Sequence, residues 1–271
     1  MTERINLYCE KITHIERGKW VMTKVMNAIN TISAAETHIS RNTIETILTG
    51  KEEAKEYFLN ALDRMLEDDA MDDEVLLNDT YFGLYFLTEW KETKAFKKIQ
   101  EVLHHIGEDV YTWLGDVLTE EFPSMLYHLY DSDAENLKSA ILDSQMDPYS
   151  RIAYIDALFQ LYVDGVVEKD VLLEVADEFE KSPEFLAHKY EFDINISCIA
   201  TELCYCFAKT HVKEFLYKTK EWMRNELLDI DLAGGYKEYE IITNGNGESN
   251  VIQYTTFTAE EALGRWFKIV E

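Results

Sequence analysis

The stretch DPYSRIAYIDALFQLYVDG, residues 147–165, reads as a helix with both of its ends marked. Asp147 is a good N-cap, because its carboxylate can accept from the unpaired amides of a first helical turn. Pro148 then falls at the first helical position, where its missing N–H costs nothing. Gly165 sits just past the last turn, as a residue able to take φ > 0. Between these signals Ile152, Ile155, Phe159 and Tyr162 mark one face, and Ala153, Ala157, Leu158 and Leu161 widen it until most sides are covered. The next segment, EKDVLLEVADEFEK (168–181), is amphipathic, with Val171, Leu172, Val175 and Phe179 inward and acids outward. So short a connection makes the two helices neighbours in an αα-hairpin.

The alternation recurs on both sides. NDTYFGLYFLTEW (78–90) is an apolar helix and TKAFKKIQEVLHHIG (93–107) its amphipathic mate, ending at Gly107. INISCIATELCYCFAKT (194–210) is again apolar on most sides, with VKEFLYKTKEWMRNELL (212–228) beside it. A covered helix followed by a half-exposed one is what stacked helical repeats need, since each pair buries its apolar face against the next. The spacing is irregular, so any repeats have diverged. Few glycines and three prolines also favour long helices over a turn-rich β fold.

Two resemblances follow from these residues. Asp147, Pro148 and then Arg151 to Leu158 resemble the first helix of a HEAT repeat, with one residue fewer between the proline and the arginine. The longer run LGDVLTEEFPSMLYHLY…LKSAILDSQMDPYSRIAYIDALFQLYVDGVVEKD resembles the bacterial family catalogued as domain of unknown function 1186, and the similarity extends over about residues 30 to 230. The resemblance implies a HEAT- or armadillo-like repeat and no particular activity. Some members carry a C-terminal cysteine-rich zinc motif, but no cysteine follows Cys206 here.

The formal net charge is −26, and residues 99–193 carry most of it, with 22 acids against 5 bases. Such a field repels phosphate backbones, which argues against direct nucleic-acid binding, and it attracts basic proteins or divalent cations. No apolar run approaches the ~20 residues that span a bilayer, and the N-terminus lacks the apolar core of a signal peptide. Cys9, Cys198, Cys204 and Cys206 therefore read as reduced thiols, and the expected compartment is the cytoplasm.

WLGDVLTEEFP (113–123) is the most tempting site. On one continuous helix Trp113, Asp116 and Glu120 would share a face and suggest an acid/base pair beside an indole. Helix punctuation explains the same residues: Gly115 and Asp116 end a helix, Thr119 caps the next, Glu120 and Glu121 favour its dipole, and Pro123 enters its first turn. His128 and Asp131 form an i,i+3 pair that could ligate a metal only with further donors. Cys204 and Cys206 lie two apart on a helix, so they diverge and read as core thiols. EDDAMDDE (67–74) lacks the central glycine of a calcium loop and reads as an inter-helix loop. Arg151, amid acids on a covered helix, reads as a structural bridge to a neighbouring repeat. Neither a phosphate-binding glycine loop nor a zinc-protease motif occurs, so no cofactor is expected.

The last forty residues differ. YEIITNGNGESNVIQYTTF (239–257) carries a hairpin signal around Asn-Gly turns, and Thr258 with Glu261 forms a capping box for a short helix. The expectation is thus an all-α, right-handed α-α solenoid over residues 1–229. A small C-terminal β-hairpin and helix (230–271) would pack on its last helices. The leading functional reading is a non-enzymatic scaffold whose acidic surface (Trp113, Asp116, Glu120, Glu121, Asp131, Asp133) meets a basic protein partner. The alternatives are a metal-assisted enzyme built on Asp116, Glu120, His128 and Asp131, and an acidic mimic of nucleic acid.

Overall fold

The computed structural model describes residues 22–229 and 256–271, and these are mostly helical. The described residues begin with α1 (Lys24–Ser33), a short strand β1 (His38–Ser40) and α2 (Arg41–Thr49). From there the helices sort into two rows. The outer row contains α3 (Lys51–Arg64), α5 (Lys94–Ile106), α9 (Ala134–Ile141), α11 (Lys169–Lys181) and α14 (Leu216–Arg224). The inner row contains α4 (Glu74–Glu89), α8 (Phe122–Leu129), α10 (Pro148–Val163) and α13 (Ile194–Lys209), each packed on the next. Three short helices complete the path: α6 (Val110–Leu114) and α7 (Val117–Glu120) lead into α8, and α12 (Pro183–His188) leads into α13.

The rows follow from the side chains. Inner helices are buried round most of their circumference, as with Ala153, Tyr154, Ile155, Ala157, Leu158, Phe159 and Leu161 on α10. Outer helices bury one stripe, as with Ala95, Phe96, Ile99, Val102, Leu103 and Ile106 on α5. The caps are those expected: Asp147 accepts from the Tyr149 N–H at 2.8 Å, and Gly165 and Gly107 take φ of 70° and 53° after their helices. The 212–228 segment is helical only over α14, after a 3-10 turn at Lys213–Phe215.

Close packing depends on one glycine in particular. A Cβ at Gly83 of α4 would lie 2.8 Å from Cδ1 of Phe58 on α3. Phe58 is fully buried and stacks on Phe86 with 5.8 Å between centroids, so it has nowhere to go. Polar contacts then cross each step of the outer row. Lys98 pairs with Asp63, Gln100 donates to Ser139 at 2.7 Å, and Lys138 reaches Glu178 at 3.4 Å. At the last step Lys218 meets Asp177 and Glu180 at 2.5 and 2.6 Å. With bases scarce, Lys138 and Lys218 are each shared among several acids.

Arg151 is the buried tie between the rows. It is 2 % exposed, donates from Nε to the Ile141 carbonyl at 2.8 Å, and grips Glu184 of α12 through both Nη atoms at 3.1 and 2.5 Å. Phe179 of α11 lies under the guanidinium, 5.8 Å from its ring centre. The bridge expected from sequence is present, and three elements meet on it.

The C-terminal segment departs from expectation. The hairpin residues 239–255 lie outside the described residues. Helix α15 (Ala259–Trp266), capped by Thr258 as expected, packs chiefly on α4 and α2 rather than on α13 and α14. A strand β2 (Lys268–Val270) follows and pairs in parallel with β1, Ile39 opposite Ile269. The physical reason is on the rings: Phe267 meets Phe82 at 5.3 Å and Phe257 meets Tyr85 at 6.3 Å, so the apolar partners of this segment lie on α4. The described residues therefore carry a parallel strand pair that an all-α reading omits. Among them no helix is long and apolar enough to cross a membrane.

Candidate functional site

The 113–133 segment is punctuated in part as the sequence suggests. Gly115 ends α6 at φ 52°, and Pro123 sits in the first turn of α8. Thr119 caps nothing: it lies within α7, and its hydroxyl donates to the Asp116 carbonyl at 3.3 Å. The chain bends instead at Glu121, where φ is −121°. Trp113 is buried, so it offers no exposed platform, and Asp116 and Glu120 face solvent on their own.

The remaining candidates have structural work. Glu121 is only 2 % exposed, and its Oε1 accepts from Arg265 Nη1 at 3.0 Å and Trp266 Nε1 at 3.3 Å. Burial raises its carboxyl above the usual range, and the Arg265 charge works against that rise. It is thus withdrawn from the exposed acidic surface expected for it, because α15 lies over it. Asp131 accepts from the Asp133 N–H at 3.0 Å and from Asn136 at 2.7 Å, while Asp133 caps α9 through the Glu135 N–H at 3.0 Å. His128 is buried between Tyr127 and Phe257, and burial pulls its imidazole down to about 4, with Lys91 adding repulsion.

Among the described residues, His, Cys, Asp and Glu donor atoms converge at one place: Asp156, Glu202 and Cys206, all within 4.8 Å of one another. Asp156 projects from α10, and Glu202 and Cys206 from α13. The two helices are neighbours in the inner row. On α13 the i,i+4 spacing puts the carboxyl and the thiol on one face. Cys206 Sγ lies 3.2 Å from Glu202 Oε1 and 3.6 Å from Asp156 Oδ1.

The electrostatics favour protons here. Burial drives the Asp156 carboxyl well above its usual range, and the neighbouring Glu202 drives it further. Two carboxyls this close cannot both ionise cheaply, so one holds a proton and hydrogen-bonds the other. Burial and the same two acids push the Cys206 thiol up, so it stays protonated and donates. Lys209, one turn on, is the nearby opposing charge, and its ammonium rests 3.7 Å from the Tyr205 ring centre.

This arrangement can do two things chemically. The carboxyl pair can exchange its proton for a cationic side chain, turning repulsion into attraction. Alternatively, two carboxylates and a deprotonated thiol form a mixed oxygen and sulfur donor set suited to a borderline cation such as Zn²⁺. Sequence reasoning missed the site. The Glu202–Cys206 spacing was legible, but nothing in the sequence put Asp156, on another helix, against them. Cys204 and Cys206 are both buried free thiols of the core, as expected, and Cys206 in addition touches the two acids.

Comparison with known proteins gives a family and no activity. The family model described as "Protein of unknown function (DUF1186)" matches residues 23–232. An uncharacterized protein of Chlamydia trachomatis serovar D is 24 % identical over 154 residues, which is 54 % of this chain and 61 % of that protein. Another from Chlamydia muridarum is 26 % identical over 125 residues, covering 45 % and 49 % of the two chains. The chain thus spans about half to three-fifths of the length of the curated relatives it matches. No solved structure matches.

Proposed function

We propose, from the premise that this chain belongs to the DUF1186 family, that it is a non-enzymatic cytoplasmic scaffold of the HEAT- or armadillo-like kind. It is a right-handed solenoid that binds a basic protein segment on the face of its inner helices. The observation that carries the reading is the Asp156–Glu202 pair. Two half-buried carboxyls this close together are a ready receptor for a lysine or arginine, because the cation relieves their repulsion and gains oxygens from both. The surrounding acid excess would speed encounter with such a partner and exclude nucleic acid.

The test is affinity capture from native cytoplasm on the full chain, eluted with a salt gradient. A basic protein should be retained by the wild type and lost by Asp156→Asn/Glu202→Gln. Retention by both proteins removes the pair from the reading, and capture of no basic protein removes the scaffold.

A second reading rests on the same three residues: a metal-binding role, relocated from the 113–131 segment to Asp156, Glu202 and Cys206. Cobalt titration checks it, since a thiolate ligand gives cobalt an intense charge-transfer band. That band should appear with the wild type and vanish in Cys206→Ser. Its absence from the wild type ends the metal reading.

A further inference from the structure

Glu121 is an acid that the fold buries and then answers from far away in the chain. It sits where α7 gives way to α8, and its carboxylate is 2 % exposed. A carboxylate at that depth is costly unless a cation and further donors reach it. Residues 256–271 supply both, through the Arg265 guanidinium and the Trp266 indole N–H on one oxygen. The rest of the segment continues along the same inner helices. The Ala259 N–H donates to Glu89 Oε2 at 2.7 Å, Phe257 lies against Tyr85 and His128, and Phe267 lies against Phe82.

Two further facts shape the inference. The acid and the rings of this pocket lie within residues 23–232, the part shared with the family, whereas the segment filling it lies beyond that part. The Arg265 side chain also remains 66 % exposed while it covers Glu121, so this side of the contact is open to solvent and to a competing segment.

We infer that the Glu121 pocket, lined by Phe82, Tyr85 and His128, is a receptor for an arginine with aromatic residues on both sides of it in sequence, and that residues 256–271 occupy it in cis. A partner segment of that chemistry would have to displace the C-terminal segment. The inference rests on the reading of the inner face as the partner-binding face, and it makes that binding self-regulated.

The experiment uses the full chain in a released form, Arg265→Ala with Ile269→Pro, which removes the buried-acid contact and breaks the β1–β2 ladder. The probe is a fluorescent peptide of residues 256–271, followed by anisotropy. The released variant should bind the peptide at least ~10-fold more tightly than the wild type, a difference of about 1.4 kcal/mol. Adding Glu121→Gln to the released variant should remove that gain. Equal binding to wild type and released chain, or binding that ignores Glu121, overturns the inference.

Should the released variant not fold, Arg265→Ala and Glu121→Gln alone serve through hydrogen exchange. Both should speed exchange across α15, and unchanged exchange in both overturns the inference equally. The peptide reports on the cis contact alone. A chain that binds it and captures no basic protein therefore sinks the proposed function, not the receptor.

Discussion

Replacing Arg151 by alanine should be among the most damaging single changes available to this chain. The substitution removes three hydrogen bonds at once, one to the Ile141 carbonyl and two to Glu184, and leaves the carboxylate facing the hole. Removing one partner of a buried pair costs about 3–5 kcal/mol, because the other charge is stranded. Glu184 retains 17 % side-chain exposure, so water can recover part of that loss and the lower end applies. For a chain of this size ~3 kcal/mol lowers Tm by roughly 6–12 °C. Arg151→Lys keeps the charge but not the planar fork, so it should fall between wild type and alanine. The assay is urea denaturation followed by circular dichroism, run as a double-mutant cycle with Glu184→Gln. Strong coupling between the two sites is expected. A loss below ~1 kcal/mol for Arg151→Ala, against the cost of stranding a buried charge, or two single losses that simply add, would refute the argument that this pair ties α10 to α12.

Three further outcomes are expected. Asp156 has a raised carboxyl, so the native state holds a proton there that the unfolded chain gives up. Its penalty is absent below the ordinary aspartate range and complete once pH passes the native value. Asp156→Asn should therefore be more stable than wild type at alkaline pH, with the gap closing on acidification, and a gap that widens toward acid contradicts the shared proton. Gly83→Ala should cost about 1–3 kcal/mol through its clash with Phe58, despite the better helix propensity of alanine. Thermal melts check this, and a stabilised variant would show that α3 and α4 can separate freely. His188→Ala should cost about 2 kcal/mol, because the Asp193 N–H and the Leu227 carbonyl each lose a buried partner. Hydrogen exchange at Asp193 should rise with the loss, and unaltered protection there would refute it.

Much of the helical architecture was legible because its signals are local. Asp147, Pro148 and Gly165 bracket α10 within nineteen residues of sequence, and the acids at its outer neighbours mark which helices face water. Arg151 could be read as a bridge from its surroundings alone. What escaped depends on contacts between distant segments. Glu121 looked like an exposed first-turn acid, and only the arrival of Arg265 over it explains its depth. Asp156 meets Glu202 and Cys206 through the packing of α10 on α13, which no periodicity reports. Strand β1 is three residues long and pairs with the far end of the chain, so it carries no alternation that a reader could use.

The β1–β2 pairing has a thermodynamic consequence out of proportion to its size. A line of helix pairs touching only their neighbours can fray from either end, so its unfolding need not be all-or-none. Here residue 38 is hydrogen-bonded to the same ladder as residue 270, and Arg41 at the start of α2 holds Glu260 at 3.0 Å and Glu271 at 2.8 Å. The first helices cannot open without releasing the last residues. Stability of the N-terminal half is thus set partly by events at the C-terminus, and denaturation probes placed at α2 should never report opening ahead of probes placed at α15.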